Sequence, residues 1–184
     1  MDLELKDLIN SGIKGLTPYE PGKPIEDLER EYGIKNAIKL ASNESPLGPS
    51  PKVLEVLKEV ISGIHRYPDG NGSRLKEALS TRHSVSTDML TLGNGSNDII
   101  ELVARCFLTP NDNAVYSKHA FAVYPLVTQS LGAQGVEVEA KDWGHDLQAM
   151  LDAINDKTKV VFIANPNNPT GTFLERNEII RFLE

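Results

Sequence analysis

The chain has 184 residues, 40% of them hydrophobic and 24% charged, which suffices for one large domain with a core and is ordinary for a globular protein. Its formal net charge of −7 argues against nucleic acid as the main partner, and the sequence has no apolar run long enough to span a membrane. The acidic, mixed start Met1–Lys6 is not typical of a secretory signal. The single cysteine, Cys106, excludes an intrachain disulfide and fits a reducing compartment. We therefore expect a cytoplasmic protein.

The first part of the chain predicts an arm followed by a strand and a helix. Residues 1–35 are polar and irregular, with turn-forming residues at Leu16–Gly22. Such an arm buries little by itself, so we expect it to lie across another surface, such as a partner subunit. Ile38–Leu40 predicts a short strand that leads into the loop Ala41–Pro49. Pro51 suits the first turn of a helix, and a broad apolar face continues to Ile64.

From about residue 89 onward, strands and helices alternate with short connections. This alternation predicts an α/β fold with a parallel sheet and right-handed crossovers. The predicted strands are Met89–Leu92, Ala114–Tyr116, Val136–Val138 and Val160–Ala164, and the predicted helices between and after them start near Ile99, His119, Leu147 and Glu175. A further helix is predicted before them, starting near Ser73. Ser73 is a candidate cap for its helix.

The last predicted strand is followed by a polar turn. Val160–Ala164 is a continuous apolar run, as expected of a strand buried on both faces, and Asn165–Gly171 then consists of turn-forming residues. In open α/β sheets, ligands bind beyond the carboxyl ends of the strands. The amides of Asn167 and Asn168 are therefore candidates to face a small molecule, the alternative being a plain turn with capping residues.

Gly93–Asp98 lies between a predicted strand and a predicted helix. Its glycines allow close approach of a ligand, and the first N–H groups of the helix, together with the Ser96 hydroxyl, predict a phosphate site. The segment is not a dinucleotide fingerprint, because Asp98 stands where the last glycine belongs, and no P-loop lysine follows. A plain tight turn remains the alternative.

Phe121 and Tyr124 follow the next strand, three residues apart on one helix start. One of them could stack on a planar ligand, although isolated aromatics are more often part of a core. The four histidines share no metal-ligand spacing, and with one cysteine they predict no metal site. We interpret them as surface or locally hydrogen-bonded groups; they are His65, His83, His119 and His145.

Taken together, six segments in chain order resemble the fold-type I pyridoxal-phosphate aminotransferases, specifically the histidinol-phosphate aminotransferase group. They are Leu16–Tyr19, Leu40–Glu44, Arg66–Gly70, Gly93–Asp98, His119–Tyr124 and Pro166–Gly171. The resemblance covers nearly the whole chain. It implies an N-terminal arm at residues 1–35, followed at 36–184 by part of the large cofactor-binding domain, with helices on both faces of a mainly parallel sheet.

The resemblance also implies that pyridoxal 5'-phosphate is the cofactor and assigns residues to it. Asn168 matches the asparagine that hydrogen-bonds the phenolic oxygen of the cofactor ring, and Phe121 matches the aromatic residue that stacks on that ring. Ser96 and Asn97 match the positions whose backbone amides hold the cofactor phosphate. Asn97-Asp98 departs from the common Asp-Glu of the family, a change that a backbone contact should survive.

Three further residues gain roles through the resemblance. Tyr67 resembles the tyrosine that reaches the phosphate of the other subunit's cofactor, which implies a homodimer with a composite active site. Tyr19 and Asn43 match positions near the substrate, and Tyr19 is the candidate for contact with a substrate phosphate.

The family's Schiff-base lysine, the acid that pairs with the pyridine nitrogen and the arginine that binds the substrate carboxylate come after the Asn-Pro turn. Lys157 and Lys159 precede the last strand, at the wrong edge of the sheet, so the chain offers no catalytic residue. We expect a truncated, inactive portion of a histidinol-phosphate transaminase, an enzyme that uses histidinol phosphate and 2-oxoglutarate or glutamate. The alternatives are an aromatic amino acid transaminase, a threonine-phosphate decarboxylase, or a non-catalytic phosphate-binding or dimerisation module.

Overall fold

The structure is a computed structural model that describes residues 8–20 and 22–184. The start of the predicted arm, including Met1–Lys6, and Pro21 lie outside the described residues. The chain divides into two compact units: a sheet unit, made of the described residues up to Tyr19 together with Gly93–Glu184, and a helical unit, made of the described part of Glu20–Leu92. No helix in the described part of the chain is both long and apolar enough to cross a membrane.

The helical unit contains three α-helices and two short 3-10 turns. The α-helices are α1 (Ile25–Tyr32), α2 (Pro51–Val60) and α3 (Ser73–His83), and the 3-10 turns are Ile61–Gly63 and Thr87–Met89. Pro51 occupies the first turn of α2, as predicted from its fixed φ and missing N–H. The cap predicted at Ser73 is wrong, because Ser73 is the first residue of α3 and Gly72 occupies the N-cap position. The Asp69 carboxylate instead accepts hydrogen bonds from the amides of Asn71 (2.9 Å) and Ser73 (2.8 Å).

Two predicted strands of this unit are wrong. Ile38–Leu40 is irregular, with Ile38 86% and Leu40 95% exposed. Met89–Leu92 consists of the end of a 3-10 turn followed by irregular backbone. A strand is maintained by hydrogen bonds to a neighbour, and neither segment pairs with another strand in the part of the chain that is described.

The sheet unit is built on three parallel strands, which confirms the predicted parallel sheet. The strands are β1 (Asn113–Ser117), β2 (Gln134–Val138) and β3 (Thr158–Phe162), in the spatial order β2-β1-β3. The last strand in the structure, β3, begins and ends two residues earlier than the predicted strand Val160–Ala164. It ends at Phe162 because its last pair with β1 is Tyr116 opposite Phe162.

Four helices cover the two faces of this sheet: α4 (Ser96–Phe107), α5 (Val123–Ser130), α6 (Leu147–Ala153) and α7 (Arg176–Leu183). Successive residues of a strand point to opposite faces. Tyr116 of β1 accordingly packs with residues of α4 and α5, whereas Val115 packs with Met150 of α6 and with Phe182 of α7. Every residue of β1 is buried, so the central strand holds the two layers of helices together.

The described residues of the arm up to Tyr19 belong to the sheet unit, whereas the rest of the described arm, for which the sequence predicts irregular backbone, belongs to the helical unit and contains α1. Gly12 is buried, and its amide donates to the Asn10 side chain at 3.0 Å. A Cβ atom at Gly12 would lie 2.4 Å from the Gln129 carbonyl oxygen and 2.8 Å from the Ser130 carbonyl oxygen and the Gly132 amide nitrogen. The arm is thus seated against the end of α5, with glycine at the point of closest approach.

Candidate functional site

The candidate site lies at the carboxyl ends of the strands in the sheet unit. Helix α4 ends at Phe107, shortly before β1 begins at Asn113, so the end of α4 is near the amino end of β1. A helix of 12 residues is about 18 Å long, enough to return its N-terminus to the opposite edge of the sheet. Ser96 at the start of α4, Phe121 after β1 and Asn168 after β3 thereby belong to the same edge.

The start of α4 has the properties of an anion site. Gly95 adopts φ +80°, and the space beside its Cα is open. Ser96 and Asn97 are exposed, and within the described residues their amides donate to no acceptor. Unpaired first-turn N–H groups at the positive end of the helix attract anions. The Asp98 carboxylate accepts a hydrogen bond from the Asn94 amide at 2.9 Å, so it turns back onto its own loop.

The two aromatic residues after β1 have different roles. Tyr124 is 7% exposed and stacks on Phe162, with ring centroids 4.6 Å apart and an interplanar angle of 6°. Burial raises the pKa of the Tyr124 hydroxyl above its ordinary value of 10.0. Phe121 is half-buried, and its ring meets the Tyr124 ring edge to face, with the two ring centroids 5.9 Å apart. Tyr124 is therefore a core residue, while Phe121 keeps ring surface available to a ligand.

The two asparagines after β3 also differ. Asn167 is 4% exposed, and its Nδ2 donates to the His119 carbonyl oxygen (3.2 Å) and the Thr170 hydroxyl (2.8 Å). Asn168 is half-buried, and its side-chain amide forms no hydrogen bond with the described residues. The Asn168 amide can therefore hydrogen-bond a ligand without breaking a bond in the turn. The Nδ2 of Asn167 is already engaged, and only its buried Oδ1 has no partner among the described residues.

Further contacts join the loops at this edge of the sheet. His145 is 8% exposed, and its Nε2 donates to the Ala164 carbonyl oxygen at 3.0 Å. The sequence predicts that each histidine is either a surface group or a hydrogen-bonded group. His145 is not a surface group, and it is hydrogen-bonded. Sequence reasoning gave His145 no role at the site and treated Asn167 as a residue that could face a ligand in the same way as Asn168. No local pattern distinguishes this buried histidine from the three exposed ones.

The remaining residues that the sequence assigns to the site, Tyr19, Asn43 and Tyr67, are divided between the two units. Tyr19, which is 52% exposed, belongs to the sheet unit, whereas Asn43 and the fully exposed Tyr67 belong to the helical unit. Their roles at the site stay predictions. Lys157 lies where β3 begins, and its carbonyl oxygen accepts from the Asn113 amide at the amino end of β1 (2.8 Å). This lysine is thus at the edge of the sheet opposite Ser96 and Asn168.

The fold and the site define an α/β protein with helices on both faces of a parallel sheet and, at the carboxyl edge, a helix start whose first amides have no acceptor among the described residues. The chain belongs to the aminotransferase class I and II family, whose sequence model matches residues 35–184. The predicted family resemblance and fold class are thereby confirmed.

Several relatives carry a more specific name. The chain is 58% identical over 179 residues to histidinol-phosphate aminotransferase 2 of Pseudomonas fluorescens, covering 96% of this chain and 48% of the relative. It is 54% identical to histidinol-phosphate aminotransferase 2 of Methylococcus capsulatus, covering 98% of this chain and 50% of the relative. The chain therefore spans about half the length of the curated relatives it matches.

A solved structure matches the fold over most of the chain. The crystal structure of histidinol-phosphate aminotransferase from Sinorhizobium meliloti in complex with pyridoxal-5'-phosphate superposes with a TM-score of 0.83 at 26% identity, covering 94% of this chain and 46% of that chain. Alanine aminotransferase from Pyrococcus furiosus matches with a TM-score of 0.73 over 86% of this chain and 43% of that chain, at 23% identity, a likeness of fold alone.

Proposed function

We propose that this chain is the cofactor-binding part of a histidinol-phosphate transaminase, which exchanges an amino group between histidinol phosphate and 2-oxoglutarate in histidine biosynthesis. The names of relatives that are 52–58% identical support this assignment. The observation that carries it is a set of groups at one sheet edge that have no partner among the described residues: the amides of Ser96 and Asn97, the open ring surface of Phe121 and the side-chain amide of Asn168.

These residues fit pyridoxal 5'-phosphate as the cofactor. The amides of Ser96 and Asn97 would hold its phosphate at the positive end of α4. The Phe121 ring would stack on the pyridine ring, and the Asn168 amide would donate to the ring oxygen. When bound, the cofactor supplies an electron sink for the substrate's α-carbon. The chain's own contribution is to bind and orient the ring.

The homodimer and the composite active site belong to the same proposal. Tyr67 is fully exposed and would reach the cofactor phosphate of the partner subunit. The apolar residues of α2 leave a large hydrophobic surface uncovered, which supports an interface; those 45–55% exposed are Val53, Leu54, Val56, Leu57 and Val60. We also propose the arm and large-domain division at residue 35, and the cytoplasm as location, which the single cysteine supports.

The proposal also assigns Tyr19 and Asn43 to the substrate, as the family resemblance implies. Tyr19 is half exposed, and its hydroxyl would donate to the substrate phosphate. Asn43 is exposed and adopts φ +49°, a conformation that asparagine tolerates better than most residues. The Tyr19 contact would distinguish the phosphorylated substrate from other amino donors.

Purified protein from the complete gene tests the substrate. We expect amino transfer from histidinol phosphate to 2-oxoglutarate to depend on added pyridoxal phosphate. Phenylalanine and threonine phosphate serve as comparison substrates. Absence of turnover with histidinol phosphate, with turnover of either comparison substrate, would reject the proposed specificity, and absence of turnover with all three would reject the enzyme.

A pair of variants at Ser96 tests the phosphate contact. Gly95 has ψ 178°, which suits a residue before proline, and proline is favoured at the first helical position. Ser96→Pro removes the amide hydrogen and the hydroxyl, whereas Ser96→Ala removes the hydroxyl alone. A hydrogen bond to a charged group contributes about 1.5–3 kcal/mol, so affinity for pyridoxal phosphate should fall at least tenfold further in Ser96→Pro. Equal affinities would reject the amide contact.

A further inference from the structure

Asn167 joins two of the loops that carry the proposed cofactor contacts. Its amide nitrogen donates to the Thr172 carbonyl oxygen (2.7 Å), and its carbonyl oxygen accepts from the Gly171 amide (2.8 Å). These bonds close the turn that follows β3. Its side chain leaves the turn and donates to the His119 carbonyl oxygen in the loop after β1. Phe121 lies two residues after His119, and Asn168 lies next to Asn167.

The orientation of the Asn167 amide group is determined by its neighbours. The His119 carbonyl oxygen can only accept a hydrogen bond, so Nδ2 must face it. The Thr170 hydroxyl takes the second proton of Nδ2 at 2.8 Å. Because Asn167 is 4% exposed, water cannot readily replace these partners, and their loss would leave buried polar groups unpaired.

The loop after β1 needs such a contact. His119 adopts φ +60°, which is strained for a residue with a side chain. Its ring packs on Trp143, with centroids 4.9 Å apart, and its carbonyl oxygen accepts the Asn167 bond. These contacts stabilise the backbone conformation from which the chain turns into Phe121.

We propose that Asn167 is a positioning residue that holds the loop bearing Phe121 and the turn bearing Asn168 in fixed register, so that both contact one cofactor ring. The proposal rests on the proposed function, since it assumes a ring between Phe121 and Asn168. Asn167 itself does not touch the cofactor. It acts through the His119 carbonyl oxygen and through its own place in the turn.

The test compares Asn167→Ala with Asn165→Ala in protein from the complete gene. Asn165 provides a matched control, because its side chain also forms two hydrogen bonds in the same turn, both to Leu174 (3.0 Å and 2.8 Å), but none to the loop after β1. The variant Asn167→Asp keeps the side-chain volume and removes the Nδ2 hydrogen-bond donor, so it replaces Asn167→Ala in the comparison if that variant fails to fold. The measurements are the dissociation constant for pyridoxal phosphate, the competing affinity of inorganic phosphate, and amide hydrogen exchange.

We expect the dissociation constant for pyridoxal phosphate to rise about tenfold in Asn167→Ala, the equivalent of one hydrogen bond of ordinary strength. Inorganic phosphate should bind unchanged, because its site at Ser96 and Asn97 is not touched. Exchange should accelerate at residues 118–122 in Asn167→Ala, and only at 165–174 in Asn165→Ala.

Three results would overturn the proposal: equal losses of cofactor affinity in the two alanine variants, a parallel loss of phosphate affinity, or unchanged exchange at residues 118–122. If the unsubstituted protein does not bind pyridoxal phosphate, the proposed function fails. The exchange comparison then still decides whether Asn167 couples the two loops.

Discussion

Replacing Gly12 with alanine should detach the part of the arm around Gly12 from the end of α5. The added Cβ atom would lie 2.4 Å from the Gln129 carbonyl oxygen, and 2.8 Å from both the Ser130 carbonyl oxygen and the Gly132 amide nitrogen. All three are backbone atoms at the end of α5, so none can rotate away as a flexible side chain would. The arm itself must move.

The cost follows from the distances. Ordinary van der Waals contact begins near 3.4 Å, so the closest contact is about 1 Å too short, and overpacking of this kind costs about 1–3 kcal/mol. That cost corresponds to a rise of roughly 5- to 150-fold in the population of arm that is undocked. The site should remain folded, because local opening of an arm does not require global unfolding.

Limited digestion with trypsin measures the undocked population through cleavage after Lys14, which is exposed and follows Gly12 by two residues. Cleavage tracks the open population when opening is faster than proteolysis. Gly63→Ala is the matched control, because a Cβ atom at Gly63 meets nothing within 4 Å. If Gly12→Ala is cleaved after Lys14 no faster than Gly63→Ala, the close packing of the arm is refuted.

Three further substitutions probe the core, the electrostatics and the ligand face. Met150 is fully buried, so Met150→Ala should lower the free energy of unfolding by about 2–5 kcal/mol; a loss below about 1 kcal/mol in urea titration would contradict its place in the core. Hydrogen bonds from the Thr109 hydroxyl (2.6 Å) and then from its amide (2.8 Å) hold the pKa of Asp112 below its ordinary value of 3.8. A lowered pKa in the folded state stabilises the protein above the unfolded-state pKa, and this stability is lost as the pH falls through the folded-state pKa. The difference in free energy of unfolding between the unsubstituted protein and Asp112→Asn should therefore be largest at neutral pH and should shrink below pH 3.8. A difference that stays constant down to pH 2 would contradict the lowered pKa. Phe121→Leu should weaken pyridoxal phosphate binding by about 0.5–1.5 kcal/mol, the usual strength of aromatic stacking, and an unchanged dissociation constant would remove Phe121 from the site.

Much of the fold could be predicted because its signals are local. The apolar run Val160–Ala164, the proline at the start of α2 and the glycines before α4 each indicate a structure that depends on a few neighbouring residues. The alternation of strands and helices then predicts a parallel sheet through connection rules alone. The two predicted strands that are wrong, Ile38–Leu40 and Met89–Leu92, have the composition of strands and no strand beside them in the described residues. Pairing is a property of distant segments, and a short apolar run does not reveal whether a partner exists.

The candidate site divides in the same way. The sequence by itself indicated which segments are candidates for it, since six motifs in order predicted the aminotransferase family that the comparisons then showed. Only the tertiary structure separated Tyr124, stacked in the core on Phe162, from the half-buried Phe121. It likewise separated Asn167, bonded to a loop 48 residues away in sequence, from Asn168, whose amide it leaves unpaired among the described residues. Two like residues in one motif have the same local pattern, and their roles differ only through the atoms that folding brings against each side chain.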